Sequence, residues 1–212
     1  TLDLLNGEPY ESPMLPFGGV EQFAWSPDSK TIAYTSRKKT GVEQTKSTDS
    51  DIYLYTIISG ETKNICKIEG DPDRNMGYDI NPQYSPDGKY IAWQSMERDG
   101  YESDRNRLCV YEIATGNKTY VTELFRSGVD AFCWAENSKN LFFVGTWYGC
   151  THVYATNLNG EIKKITDGQY DYTSVSICGK NLLCGRQSMC EAKELYLVNP
   201  NLTPEGKKIN IY

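Results

Sequence analysis

Apolar and polar positions alternate along this chain in short runs, punctuated by the same few turn residues. Asp51-Ile52-Tyr53-Leu54-Tyr55, Arg107-Leu108-Cys109-Val110-Tyr111, Thr151-His152-Val153-Tyr154 and Glu194-Leu195-Tyr196-Leu197-Val198 each read as one strand. Their β-branched and aromatic residues suit a pleated surface. A small glycine turn follows the first three: Thr56-Ile57-Ile58-Ser59-Gly60-Glu61, Glu112-Ile113-Ala114-Thr115-Gly116-Asn117 and Thr156-Asn157-Leu158-Asn159-Gly160-Glu161. Glycine there supplies the positive φ that hairpin turns often require.

A second phrase runs in alternation with the first. Trp25-Ser26-Pro27-Asp28-Ser29-Lys30-Thr31-Ile32-Ala33-Tyr34 returns as Tyr84-Ser85-Pro86-Asp87-Gly88-Lys89-Tyr90-Ile91-Ala92-Trp93. It returns more faintly from Trp134 to Phe143 and again from Cys178 to Leu183. Each copy is a tight turn between two β-prone runs. Steps of 59, 50 and 41 residues separate Ser29, Gly88, Ser138 and Gly179, and steps of 56 and 44 separate Gly60, Gly116 and Gly160. Two hairpins per period make four strands, which is the blade of a β-propeller. An ordinary β-sandwich also predicts short strands and regular turns, but not two turn phrases alternating in phase.

The expected fold is therefore all-β: a propeller segment of about four four-stranded, WD40-like blades in an incomplete ring. Residues 1–17 are expected as the outer hairpin of a preceding blade. Blades follow at 18–70, 71–127, 128–167 and 168–212, with the completeness of the last left open. An isolated arc leaves blade faces and strand edges exposed, so this reading expects further sequence on both sides.

Composition narrows the function classes. The net charge of −6 speaks against a nucleic-acid partner, which calls for a basic patch. No apolar run approaches the ~20 residues of a membrane helix. Seven cysteines fit no zinc spacing and read as small buried residues; Cys178 and Cys184, flanking a short hairpin, are the pair to test for a disulfide. His152, the lone histidine, reads as a packed strand residue. Asp71-Pro72-Asp73-Arg74-Asn75 lacks the full ligand pattern of a calcium loop and reads as a turn. There is no Gly-x-Ser-x-Gly elbow and no phosphate-binding glycine loop, since Gly145 to Gly149 lacks the lysine and helix one needs. No catalytic residue, metal site or cofactor is assigned to this chain, which reads as a scaffold or binding module.

The turn phrases resemble the "WSPDGK" repeats of TolB-like propellers and of prolyl oligopeptidase-type peptidases. Ser103-Asp104-Arg105-Asn106-Arg107-Leu108 through Thr115-Gly116-Asn117-Lys118, and Ile165-Thr166-Asp167-Gly168-Gln169-Tyr170-Asp171, resemble middle propeller blades of dipeptidyl and acylaminoacyl peptidases. Gly185-Arg186-Gln187-Ser188-Met189 with Glu194-Leu195-Tyr196 resembles the blade that follows. The resemblance implies the propeller of a serine exopeptidase of that family, closest to its dipeptidyl peptidase branch. In the family the propeller caps a C-terminal α/β-hydrolase domain that carries the serine, aspartate and histidine. It also implies short peptides as substrates, a homodimer as one possible assembly, and a periplasmic or secreted address, with the cytoplasm left open. The paired-glutamate motif of the dipeptidyl peptidase IV type has no copy here, because Glu97 and Glu102 are not adjacent.

Strand order places both turn phrases at one end of each blade and the longer insertions at the other. Those insertions are Arg37 to Ser50, Glu97 to Arg105, and Thr146 to Gly149. Loops on a rigid scaffold commonly carry binding. The expected substrate-facing residues are Glu97, Arg98, Asp104 and Arg105, which suit the charged ends of a short peptide, and Trp147 and Tyr148, which supply apolar area. Two further readings stay open. One is a TolB-like periplasmic interaction propeller without a hydrolase, and the other is a lyase or sugar-binding propeller.

Overall fold

The computed structural model describes residues 3–67, 76–201 and 207–209. Four four-stranded antiparallel sheets account for its strands. The first is β1 (Phe23–Trp25), β2 (Thr31–Ser36), β3 (Asp51–Thr56) and β4 (Thr62–Asn64). The second is β5 (Asp79–Tyr84), β6 (Tyr90–Ser95), β7 (Arg107–Glu112) and β8 (Lys118–Tyr120). The third is β9 (Ala131–Trp134), β10 (Asn140–Trp147), β11 (Cys150–Asn157) and β12 (Ile162–Lys164). The fourth is β13 (Asp171–Cys178), β14 (Asn181–Ser188), β15 (Glu191–Val198) and β16 (Lys207–Lys208). In each sheet the strands lie in chain order, the meander of a propeller blade. One short α-helix, α1 (Val42–Lys46), is present among the described residues. None of their helices is long and apolar enough to cross a membrane. The segment Asp71 to Asn75 lies outside the described residues, as does the expected blade limit at Gly70.

The chain forms two compact units, Thr1–Lys118 and Thr119–Tyr212. In the first, the repeated phrase explains itself chemically. Ser26 Oγ donates to Asp28 Oδ1 at 2.7 Å and accepts the amide of Thr31 at 2.9 Å. Ser85 repeats both bonds with Asp87 and Tyr90, at 2.7 and 3.0 Å. Ser29 and Gly88 take φ of 59° and 72°, the left-handed region that closes such a turn. The amide of Ile57 bonds the carbonyl of Lys30 at 3.0 Å, and that of Ile113 bonds Lys89 at 3.0 Å. Both turn types of a sheet therefore sit at the same end.

Inner strands are buried on both faces. Every residue of β2 after Thr31 is buried, as is every residue of β6 after Tyr90. For the first sheet the alternation expected of a half-solvated strand fails because β1, β2 and β3 pack against β5. Tyr34 stacks on Tyr53 with centroids 5.5 Å apart, and Leu4 and Leu5 pack onto this tyrosine cluster. Residues 3–17 make turns and no strand.

In the second unit the same turn recurs with substitutions. Asn137 Oδ1 accepts the amides of Lys139 and Asn140 at 2.9 and 3.2 Å, the place held by aspartate in the first unit. Ser138 and Gly179 again take positive φ, 56° and 57°. The core joins Phe142, Val144 and Val153 to Tyr172, Leu182 and Val198. Gly145 lies within β10, where a Cβ would sit 2.6 Å from the Phe125 ring. Phe125, Phe143 and Tyr154 form one aromatic cluster with centroid separations of 4.8–5.4 Å.

Cys66, Cys109, Cys133 and Cys184 are buried, Cys150 is half-buried, and Cys178 and Cys190 are exposed; all seven are free thiols. The pairing of Cys178 with Cys184 is ruled out by register. Cys178 faces Asn181 while Cys184 faces Val175. The two lie three rungs apart, about 10 Å along the strands, beyond the reach of a disulfide. Burial pushes the Cys184 thiol up to about 12, so it is inert as a nucleophile.

Candidate functional site

At the end opposite the turns, the first unit carries two long connections. One, between β2 and β3, holds α1; the other joins β6 to β7. Asp99 ties them together: its Oδ1 accepts Ser47 Oγ at 2.7 Å and the amides of Thr48 and Asp49 at 2.8 and 3.2 Å. In return Thr48 Oγ1 accepts the amide of Gly100 at 2.8 Å. Burial alone would raise the Asp99 carboxyl, but these donors outweigh it and hold it below the usual carboxylate range. Arg37 braces the first loop from within, donating to the carbonyls of Gln44 and Ser47 at 2.8 and 3.0 Å.

The four charged residues expected here do gather in the β6–β7 loop. Arg98 grips Asp104 with Nε at 3.2 Å and Nη2 at 3.0 Å. The same carboxylate accepts the amides of Glu97, Arg98 and Arg105 at 3.2, 3.0 and 3.0 Å. Arg98 therefore holds the Asp104 carboxyl down at about 2, assisted by those amides against a small burial penalty. The Arg98 guanidinium also lies 4.0 Å from the centroid of the Tyr101 ring. Glu97 pairs with buried Arg107 at 3.5 Å. This set fixes the shape of the loop.

A pocket of about 590 Å³ opens beside the loop. Leu15, Phe17, Ile80 and Met96 give it apolar walls, with Arg37 and Glu102 among its polar groups. Its size and mixed lining suit a small organic ligand or peptide end. The 14–22 segment folds on Gln22, whose Oε1 accepts the amide of Met14 at 2.7 Å. Gly18 is required there, since a Cβ would fall 2.5 Å from the Met14 carbonyl oxygen. Ile80 and Asn81 reach the pocket because β5 is irregular between Ile80 and Gln83. Asn81 takes φ of 58° and donates to Gln94 Oε1 at 2.8 Å; bulges of this kind re-aim side chains near sites. Sequence reading missed this wall. The signal was the run Met14-Leu15-Pro16-Phe17, apolar but without strand alternation, in which Phe17 stays 95% exposed.

In the second unit Trp147 and Tyr148 stand on the tight β10–β11 turn as an edge-to-face pair with centroids 5.0 Å apart. Tyr148 is 90% exposed. His152 is buried, its Nδ1 3.3 Å from Thr166 Oγ1, and burial lowers its pKa. It packs beside Tyr172 and serves the core.

One group of described residues has the composition of a metal site: Asp51, Cys66 and Asp79, whose ligand atoms all lie within 4.8 Å of one another. All three are buried in the first unit. Burial raises the Asp79 carboxyl to about 7 and the Cys66 thiol well above its ordinary value.

Comparison with known proteins places this architecture. No family model matches the chain. It is 47% identical to dipeptidyl-peptidase 5 of Porphyromonas gingivalis over 98% of its length. It spans only 30% of that curated relative. Among solved structures, the β-propeller domain of the Trilobed protease from Pyrococcus furiosus superposes with a TM-score of 0.63 at 17% identity, covering 90% of this chain and 51% of that one. The Pyrococcus horikoshii acylaminoacyl peptidase gives 0.65 at 17% identity, covering 90% of this chain and 27% of its own. At such identity the structural matches speak for the fold alone.

Proposed function

We infer that this chain, a propeller segment of the prolyl oligopeptidase family on its dipeptidyl-peptidase side, is the non-catalytic part of a longer serine exopeptidase. In this reading the reacting serine, histidine and aspartate lie on an α/β-hydrolase domain of the same polypeptide. The blades gate which peptides reach it. The observation that carries the reading is 47% identity over nearly the whole of this chain to dipeptidyl-peptidase 5 of Porphyromonas gingivalis, combined with coverage of under a third of that relative.

The loop end then faces the hydrolase domain. The pocket bounded by Phe17, Ile80 and Met96 receives apolar peptide side chains, while Glu102 supplies a charge at its rim. Glu97, Arg98, Asp104 and Arg105 keep the β6–β7 loop in the shape that forms this rim. Trp147 and Tyr148 offer a second apolar contact. The blade limits 18–70, 71–127, 128–167 and 168–212 belong to the same reading, as does a periplasmic or secreted location, which cell fractionation tests.

The decisive experiment uses the full-length gene product on short peptides with free amino ends. Release of dipeptides is expected, and Phe17→Ala is expected to lower kcat/KM about 3- to 10-fold, chiefly through KM, as loss of one apolar contact does. A full-length protein that releases no dipeptides overturns the exopeptidase reading. Unchanged kcat/KM in Phe17→Ala, Glu102→Gln and Tyr148→Ala removes the pocket and the aromatic pair from the peptide path.

A further inference from the structure

Asp51 opens β3, Cys66 follows β4 and Asp79 opens β5, so three separate stretches of chain deliver one donor each to a single buried point. The residues are 4%, 1% and 6% exposed. Two carboxylates and a sulfur share a space in which all ligand atoms lie within 4.8 Å. Like charges repel and desolvation is costly, so two acids this close out of water need compensating partners; Ser95, Trp93 and Cys66 supply them at Asp79, which leaves Asp51.

The hydrogen bonding of Asp51 is lopsided. Its Oδ2 accepts Asn64 Nδ2 at 2.8 Å and Tyr53 OH at 3.3 Å, and it meets the Lys67 ammonium at 3.3 Å. Its Oδ1 is sealed from solvent and accepts no hydrogen bond. A buried carboxylate oxygen without a donor is a position that calls for a partner. The other two groups are held in place by the fold. Trp93 Nε1 donates to Asp79 Oδ1 at 2.6 Å, and the amide of Ile52 donates to Cys66 Sγ at 3.0 Å. Such outer contacts orient ligands around a metal.

We propose that Asp51, Cys66 and Asp79 form a binding site for a zinc-like divalent cation. Donor type selects the class. A sulfur ligand disfavours calcium and magnesium, which take six or more oxygens, and suits a borderline ion of low coordination number. A tetrahedral zinc with sulfur at about 2.3 Å and oxygens at about 2.0–2.2 Å spaces its donors about 3.3–3.7 Å apart, a small contraction of the cluster. Three protein donors leave one position for water or the second oxygen of a carboxylate. Binding replaces the thiol proton, which leaves to solvent, with a sulfur–metal bond. The dication offsets the charges of the thiolate and the two carboxylates, and Lys67 offsets the remainder. The ion then cross-links β3, the segment after β4, and β5.

The test uses protein in which exposed Cys178 and Cys190 are replaced by serine, so that surface thiols do not contribute. It is stripped with chelator and then given zinc chloride or cobalt chloride alone. The expected results are about one equivalent of zinc retained after desalting, a raised Tm with zinc, and a sulfur-to-cobalt charge-transfer band in the near ultraviolet. Asp51→Asn and Asp79→Asn are expected to weaken zinc binding about tenfold or more. Cys66→Ala is expected to abolish the cobalt band, whereas Cys133→Ala, a buried thiol in the other unit, retains it. Folded parental protein that holds no zinc and shows no cobalt band overturns the proposal and leaves a cluster held by protons alone. A band that survives Cys66→Ala also overturns it. Should Cys66→Ala fail to fold, unchanged zinc affinity in Asp51→Asn overturns it instead.

Discussion

The two ends of the sheets in the first unit are secured by different means. At the turn end each contact closes within a few residues: Ser26 with Asp28 and Thr31, Ser85 with Asp87 and Tyr90. At the loop end the key contacts join residues far apart in sequence, as in the bond from Ser47 to Asp99, 52 residues away. The turn end is thus the same small solution written into successive sheets. The loop end is written separately for each, as an extended cross-braced pair of loops in the first unit and a tight aromatic turn in the second. Repetition supplies a rigid frame, and variation at the unrepeated end gives the frame its pocket.

Three substitutions probe this contrast. Asp104→Ala removes an acceptor that serves five donor groups in the β6–β7 loop, and is expected to cost about 2–3 kcal/mol in urea unfolding at pH 7. The sign of its pH dependence is fixed by a folded-state carboxyl held at about 2, below the unfolded value. Its contribution is fully present above the unfolded pKa of about 3.9 and is lost as pH falls through 2. The gap between parent and variant should therefore close in acid and stay constant from pH 5 upward. Asp99→Ala cuts the tie between the two loops and is expected to cost about 1–2 kcal/mol, with faster amide exchange at Thr48 and Asp49 but not at Thr31. Equal exchange at both ends would show that the loop end needs no cross-brace. Ser29→Gly is the smallest effect and has the opposite sign. Ser29 holds φ of 59°, so glycine should stabilise by about 0.5–1 kcal/mol, with a rise in Tm.

Much of the frame was legible because its signals are local. A Ser-Pro-Asp-Gly phrase specifies a hydroxyl acceptor, a carboxylate and a left-handed residue within six positions, and each feature appears in the structure. Where Asn137 stands in for aspartate the turn persists, which explains why the faint third copy was still readable. The gathering of Glu97, Arg98, Asp104 and Arg105 in one loop was also readable. That Arg98 and Asp104 grip each other was not, because side chains six residues apart in an irregular loop follow no period. Phe17 and Asn81 follow no period: one sits in an apolar run whose only signal is its lack of strand alternation, the other at an irregularity that strand periodicity hides.

The sequence by itself determined the strands, their pairing into meanders and the handed turns that join them. These depend on φ preferences and on alternation over a few residues, which the chain carries wherever it goes. Only the tertiary structure decided that β2 and β6 are buried on both faces, that residues 14–22 wall a pocket with the β6–β7 loop, and that Asp51, Cys66 and Asp79 converge. Burial and convergence are properties of packed neighbours, so residues distant in sequence acquire them together or not at all.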